Sequence, residues 1–385
     1  MTAEHVLGTA VVVVHGVGER GPMETFDAFV RTSLDPRDGK WNYHPRPAEV
    51  TDTYEVRRYS APSENTEFFE YHWPFLMTAE KFAGVAPAAL RLFLRRPGNV
   101  PDALFGIWRL AWTVALVAVL VIPVLFVSGY ALNSDVPGWI IGVTISAVVL
   151  VFWFGLYRMM ARALVNKKTA PLVDSVRYTD PSPTSYAARR AIRGGLVDLL
   201  RNLHDDGGYA RIMVVAHGVG AYIAYDALIL HWAQTRDRDG QQKPWRITDF
   251  VTVGAPLTLA DFVLTRPPLL SGLSASDFEL RRELFEGLLR RGVLVGCPSD
   301  TESQSVFSAT RWTNLWFPVT RGSRSGDWFG GELGPLFGAG ITDVAVNGNE
   351  PERFKHGSAH TEYFSHPDKG AVSDFAWHLR RTLAL

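Results

Sequence analysis

The sequence predicts an α/β fold, a mostly parallel sheet with helices on both faces. Residues 9–15 and 211–216 (TAVVVVH and RIMVVA) are continuously apolar, as strands buried on both faces are. Segments with helical spacing alternate with such runs. Glycine-bearing turns close them: HGVGER, AHGVGA and VTVGAP each follow a strand-like run.

In chain order, residues 9–15 give the first strand and residues 54–59 a short second one. Residues 185–204 place Ala188, Ile192, Leu196, Leu199, Leu200 and Leu203 on one helical face, and the DDGG that follows stops the helix. Residues 211–216 are the next strand, 219–234 the next helix, and 249–253 a strand closed by GAP. Residues 291–295, 308–316 and 341–346 read as further strands and 368–383 as a closing helix, while TRGSRSGDWFGGELGPLFGAG reads as loop. Alternation of this kind calls for parallel strands covered by helices. The chain has no internal repeat and no low-complexity segment.

Composition bounds the function. A chain of 385 residues is long enough for one main domain plus an insertion or for two domains. Its 39 basic and 39 acidic residues cancel, so no net field favours nucleic acid as a partner. Cys297 is the only cysteine, which excludes an internal disulfide and a cysteine zinc cluster and fits a reducing compartment. HGVGER lacks the third glycine of a dinucleotide turn, and no phosphate loop or metal cluster is present, so no cofactor is expected.

The insertion is the most apolar part. Residues 107–132 and 139–160 each have about the 20 apolar residues that cross a bilayer, joined by the short NSDVPG. Arg91, Arg95, Arg96 and Arg109 flank the first run and Arg158, Arg162, Lys167 and Lys168 the second, whereas the turn carries only Asp135. Cytoplasmic loops collect basic residues, so both outer ends are expected in the cytoplasm, with the turn opposite. Trp108, Trp112, Trp139 and Trp153 suit the interfacial belt; the bland reading is a buried core hairpin. The start, MTAEHVLGTAVVVVHG, runs into a strand without a basic leader, so no signal peptide is expected. The expected organisation is residues 1–100 and 169–385 as one globular domain interrupted by a two-span membrane hairpin, 101–168. This places the protein in the inner or plasma membrane.

AHGVGA, between a strand and a helix, has the form of a nucleophile elbow. Such a turn needs small residues two before and two after its centre, and Ala216 and Gly220 supply them. The helix start aims the Val219 N–H at a reacting oxygen, and Gly16 and Val17, after the first strand, are placed to give the other half of an oxyanion hole. The centre itself is Gly218.

VVVVHGVGE, VVAHGVGAYIAYDAL, VTVGAPL, RWTNLWFP with GDWFGG, and SAHTEYF, in that order, resemble the α/β-hydrolase superfamily, in its lipase- and esterase-like bacterial branch. The resemblance implies a triad in the order nucleophile, acid, histidine, which falls on Gly218, Asp327 and His360. Glycine has no oxygen to attack a carbonyl, so the resemblance implies a pseudohydrolase binding an acyl or lipid ligand or a partner. The alternative is a serine-type acyl ester or lipid hydrolase, if Gly218 is an engineered or non-representative residue; with the glycine in place, only weak turnover in which His360 activates water is left. Asp300, Asp343 and Asp261 compete for the acid role, and His356 and His366 for the histidine. His217 is expected to bond locally, Cys297 to be structural, and Glu70, Tyr71, His72 and Trp73 to pack. Oligomeric state has no determinant in the sequence.

Overall fold

A computed structural model describes residues 8–16, 23–34, 42–76, 93–94, 97, 100, 105, 108–109, 111–113, 115–116, 175, 178, 183–206, 208–235, 244–257, 306–319, 326–337, 340–347, 359–364 and 373–385. Eight strands form one sheet: β1 (Gly8–Val14), β2 (His44–Val50), β3 (Glu55–Ala61), β4 (Thr66–His72), β5 (Tyr209–His217), β6 (Ile247–Val253), β7 (Arg311–Trp316) and β8 (Thr342–Ala345). Their spatial order is β2-β3-β4-β1-β5-β6-β7-β8. β3 alone runs against the rest, pairing antiparallel with β2 and β4, and every other neighbouring pair is parallel.

The unalternating apolar strands have a direct explanation. Ala10, Val12 and Val14 point into one core, with Ile212, Val214 and Phe250, while Val11 and Val13 join Met213, Val215 and Val251 in a second core on the other face. Each core needs its own helical cover. The first is covered by α2 (Pro183–Asp205), through Ile192, Leu196, Leu199, Leu200 and Leu203, and by α3 (Gly220–Gln234). The second is covered by α1 (Glu24–Ser33), through Phe26, Phe29 and Val30, and by α5 (Asp374–Leu383), through Phe375, Leu379 and Leu383. A short α4 (Gly334–Phe337) precedes β8.

Twelve of the fifteen residues of α3 are buried, which is why its sequence is apolar nearly all round. Ser373 caps α5 by accepting a hydrogen bond from the Ala376 N–H at 2.9 Å. Arg380 of α5 donates to the carbonyls of Thr32 and Leu34 at 2.9 and 2.8 Å, setting a cation at the carboxyl end of α1 and locking the two helices together.

The expected strands at 9–15, 54–59, 211–216, 249–253, 308–316 and 341–346 all have counterparts, as do the helices at 185–204, 219–234 and 368–383. α1, β2 and β4 were not expected. The strand expected at 291–295 lies outside the described residues, as do residues 117–160 with nearly all of both apolar runs. Residues 105, 108, 109, 111–113, 115 and 116 are helical. Among the described residues, no helix is long and apolar enough to cross a membrane. The expected membrane hairpin therefore has no structural support from them.

Candidate functional site

The carboxyl ends of β1, β5, β6 and β7 gather at one edge of the sheet. In open α/β sheets ligands sit outside this edge where the strand order reverses, and here the chain passes from β1 outward to β2, β3 and β4 before returning to β5 on the other side of β1. The predicted elbow lies there. β5 ends at His217, Gly218 turns with φ 56°, and α3 starts at Gly220. Few L-residues adopt such a backbone, so the turn is strained for anything but glycine. Gly220 is required for a different reason: a Cβ there would collide with the backbone carbonyl of Val14. Ala216 is fully buried beneath the turn. Both small residues read from the sequence are thus dictated by how closely strand and helix approach.

Gly16 follows β1 and lies against the elbow. A Cβ on it would stand 3.2 Å from the His217 carbonyl oxygen and 3.5 Å from the Val219 nitrogen. Its neighbour His15 is fastened from three sides: its carbonyl accepts from the Trp73 indole at 2.9 Å, its Nδ1 lies 2.9 Å from the Gly16 oxygen, and its Nε2 lies 3.5 Å from Glu70 Oε1. Val219 precedes the first turn of α3, and its N–H makes no backbone hydrogen bond among the described residues. A donor at a helix start, free of an internal partner, is the feature an oxyanion site needs. Val17 lies outside the described residues.

The acid and histidine named from the sequence meet. His360 Nδ1 is 3.0 Å from Asp327 Oδ2 and 3.1 Å from Oδ1, and both residues are buried. Asp327 also accepts from the Phe329 N–H at 2.8 Å and from the Tyr363 hydroxyl at 2.7 Å. Burial pushes its carboxyl upward, but the charge and hydrogen bond of His360, with the bonds from Phe329 and Tyr363, hold it below the ordinary aspartate value. Burial and the nearby carboxylate raise the Tyr363 phenol well above its usual range, so it stays a donor.

The other nitrogen of His360 faces the elbow. A Cβ built on Gly218 would sit 3.0 Å from His360 Nε2. Imidazole and elbow are therefore closer than a serine side chain would comfortably permit, and the glycine lets the ring settle against the turn. Gly254, at φ 54° after β6, leaves room behind the acid, since a Cβ there would stand 2.7 Å from Asp327 Oδ2.

His217, expected to bond locally, bonds instead to a residue far along the chain. Its Nε2 lies 2.9 Å from the His360 carbonyl oxygen, and the two rings stack at 4.9 Å and 28°. The residue before the elbow thus fixes both the backbone and the ring of His360, which sequence spacing alone does not reveal. Asp343, in β8, makes its bonds elsewhere: it accepts from Asn314 at 2.7 Å and from the Leu333 and Gly334 N–H groups, which ties β8 to β7 and to the start of α4. Asp300, Asp261, His356, His366 and Cys297 lie outside the described residues. Glu70, Tyr71 and Trp73 are buried, as the packing reading of that cluster anticipates. Among the described residues no group of side chains is arranged to hold a metal ion. No family model, curated protein or solved structure matches the chain.

Proposed function

We propose that the chain is a membrane-anchored protein of the α/β-hydrolase type, lipase- or esterase-like, that has given up the serine route and binds an acyl or lipid ligand as a pseudohydrolase. One observation carries the reading: a buried His360–Asp327 pair presents Nε2 to the centre of a strand-to-helix elbow where Gly218 stands. Supporting it are the order elbow, acid, histidine along the chain, the free Val219 N–H, and Gly16 beside it. A ligand carbonyl oxygen accepts from the Val219 N–H, and His360 Nε2 lies against the group attached to that carbonyl. No acyl-enzyme forms, because Gly218 offers no oxygen.

The intact pair favours a second reading, slow hydrolysis by water. Water oxygen bonds to the carbonyl carbon while His360 Nε2 takes its proton, and that proton then passes to the departing alkoxide, leaving acid and alcohol. Residual catalysis of roughly a thousandfold over water survives loss of a triad member in systems where this was tested.

Calorimetric titration with a short-chain acyl ester, alongside a turnover assay, tests both readings. The expected result is binding that weakens about tenfold, or ~1.4 kcal/mol, in His360→Ala, with any turnover lost in the same variant. Absence of binding contradicts the first reading. Robust turnover that survives His360→Ala contradicts both.

A further inference from the structure

The topology decides on which side of the domain the inserted segment emerges. β4 ends at His72, whose partner in the ladder is Glu55, and β2 ends at Val50, also opposite Glu55. Both ends lie at the carboxyl edge, the edge that carries Gly16 and Gly218. The chain leaves the sheet there through the short helix Pro74–Leu76 and returns through α2, which runs down the first core and turns into β5 within a few residues. Early contacts of α2 lie near the same edge: its body packs on Pro74–Leu76, Ile192 accepts a 2.6 Å bond from Tyr71 near the end of β4, and Arg193 pairs at 3.1 Å with Asp226 in the second turn of α3. The described elements on either side of residues 77–182, Pro74–Leu76 before them and the start of α2 after them, therefore lie at the site's own edge.

The exposed apolar side chains follow the same division. Six large ones are exposed among the described residues: Val50, Phe75, Trp112, Leu116, Tyr186 and Trp377. Val50 ends β2, Phe75 follows β4 and Tyr186 is in the first turn of α2, while Trp112 and Leu116 belong to the inserted segment; Trp377 is in the first turn of α5, on the other face of the sheet. The foot of the insertion is not loosely attached. Phe105 and Trp108 pack against the first core, and Trp112 stacks on Phe93 at 4.5 Å while its indole donates to the Phe93 carbonyl at 2.8 Å. Leu116, 57% exposed, is followed directly by the long apolar stretch to residue 132. Phe75 is two residues beyond Trp73, which is bonded to His15, so it lies within about 7 Å of chain from a residue that borders the elbow.

We propose that this edge, with the site, is held against the bilayer in which the apolar runs sit, that Val50, Phe75, Trp112, Leu116 and Tyr186 make the interfacial contact, and that the ligand is an acyl lipid drawn from that bilayer. The inference rests on the membrane-anchor and acyl-ligand reading above. Aromatic side chains favour the membrane–water boundary. The basic residues flanking the runs, Arg91, Arg95, Arg96, Arg158, Arg162, Lys167 and Lys168, favour anionic headgroups on the same side. A site opening onto that boundary receives a lipid's acyl carbonyl without carrying the chain through water.

The test uses the full chain with Cys297→Ser, so that a single introduced cysteine carries an environment-sensitive fluorophore. Cysteines are placed at Val50, Phe75 and Trp112, with Ser308→Cys at the opposite edge as control, and the protein is reconstituted in phosphatidylcholine–phosphatidylglycerol vesicles. The expected result is co-flotation, with blue-shifted emission and quenching by doxyl-labelled lipid at Val50, Phe75 and Trp112 but not at Ser308. Co-flotation with all four labels in water overturns the orientation and leaves the anchor standing. Failure to float with the vesicles overturns the anchor reading and this inference with it. Val50, 72% exposed, keeps the test valid if Phe75→Cys or Trp112→Cys fails to fold.

Discussion

Two buried aspartates, at opposite edges of the same sheet, are satisfied in different ways. Asp249, at the amino edge, accepts from Arg211 at 2.8 Å, from Arg311, and from the Thr248 hydroxyl at 2.6 Å. Arg211 also donates to the Leu383 carbonyl, so this cluster ties β5, β6 and β7 to the end of α5. Asp327, at the carboxyl edge, is surrounded by His360, Tyr363 and the Phe329 N–H. Both carboxylates are held below the ordinary value against the upward push of burial. The difference lies in the next atom outward. Each guanidinium ends the Asp249 cluster in permanent positive charge, whereas the imidazole beside Asp327 carries a second nitrogen that faces Gly218. A permanent cation makes a brace, and a ring able to take and return a proton makes a site.

The largest effect expected from breaking this arrangement is at the turn. Gly220→Ala forces a methyl into the Val14 carbonyl and should cost about 3 kcal/mol or more, read as a collapsed midpoint in urea unfolding. Asp249→Asn follows, because it strands two arginines. Both are partly exposed, with 25% and 62% of their side chains accessible. Solvent therefore takes over part of their charge, and the loss should be about 2 kcal/mol. A melting temperature unchanged in Asp249→Asn would remove the bracing role.

The acid limb of stability separates the two regions from a third group. Each aspartate has a folded value below its unfolded one, so its stabilising contribution is full above about pH 4 and is lost as pH falls through the folded value. His231 behaves in the opposite chemical sense. Burial first, with His204 and Arg201 adding, lowers its folded value to about 3. His204 donates from Nδ1 to His231 Nε2 at 3.1 Å because its own Nε2 accepts from the Arg246 N–H at 2.7 Å. The unfolded chain takes up this proton below about pH 6.5 and the folded chain does not, so stability declines as pH falls from about 6.5 towards 3. His231→Gln should flatten that decline while leaving the region below pH 4 to the aspartates. An unaltered slope between pH 6.5 and 4 would show that the buried histidine is not its source.

Much of this architecture was legible because burial on both faces leaves a simple mark. β1, β5 and β6 stand out as unalternating runs between glycine turns. β2 did not, because Pro45 and Pro47 argue against a strand unless it is an edge strand, which it is. β4 reads TEFFEYH, and its aromatics suggested a packing cluster. Of the expected cluster Glu70, Tyr71, His72 and Trp73, Tyr71 and Trp73 do pack into the first core, Tyr71 from within β4 and Trp73 just after it. At the site, the resemblance carried by RWTNLWFP with GDWFGG and by SAHTEYF points to Asp327 and His360. Tyr363 then explains its spacing by donating to the acid. The grip of His217 on His360 was not legible, since it joins residues 143 apart through a backbone carbonyl.

The central proposal is that Gly218 occupies a nucleophile's place before a buried histidine–aspartate pair. Reaction of Gly218→Ser with a serine-reactive phosphonate tests it most directly. The serine accepts φ 56° at about 1–3 kcal/mol and requires His360 to yield a few tenths of an ångström, so the variant is first shown to be folded. The account predicts that the unaltered chain takes no label, that Gly218→Ser is labelled at residue 218, and that adding His360→Ala or Asp327→Asn slows labelling by roughly a thousandfold. A folded Gly218→Ser protein that stays unlabelled, or one labelled equally fast without His360, would contradict it.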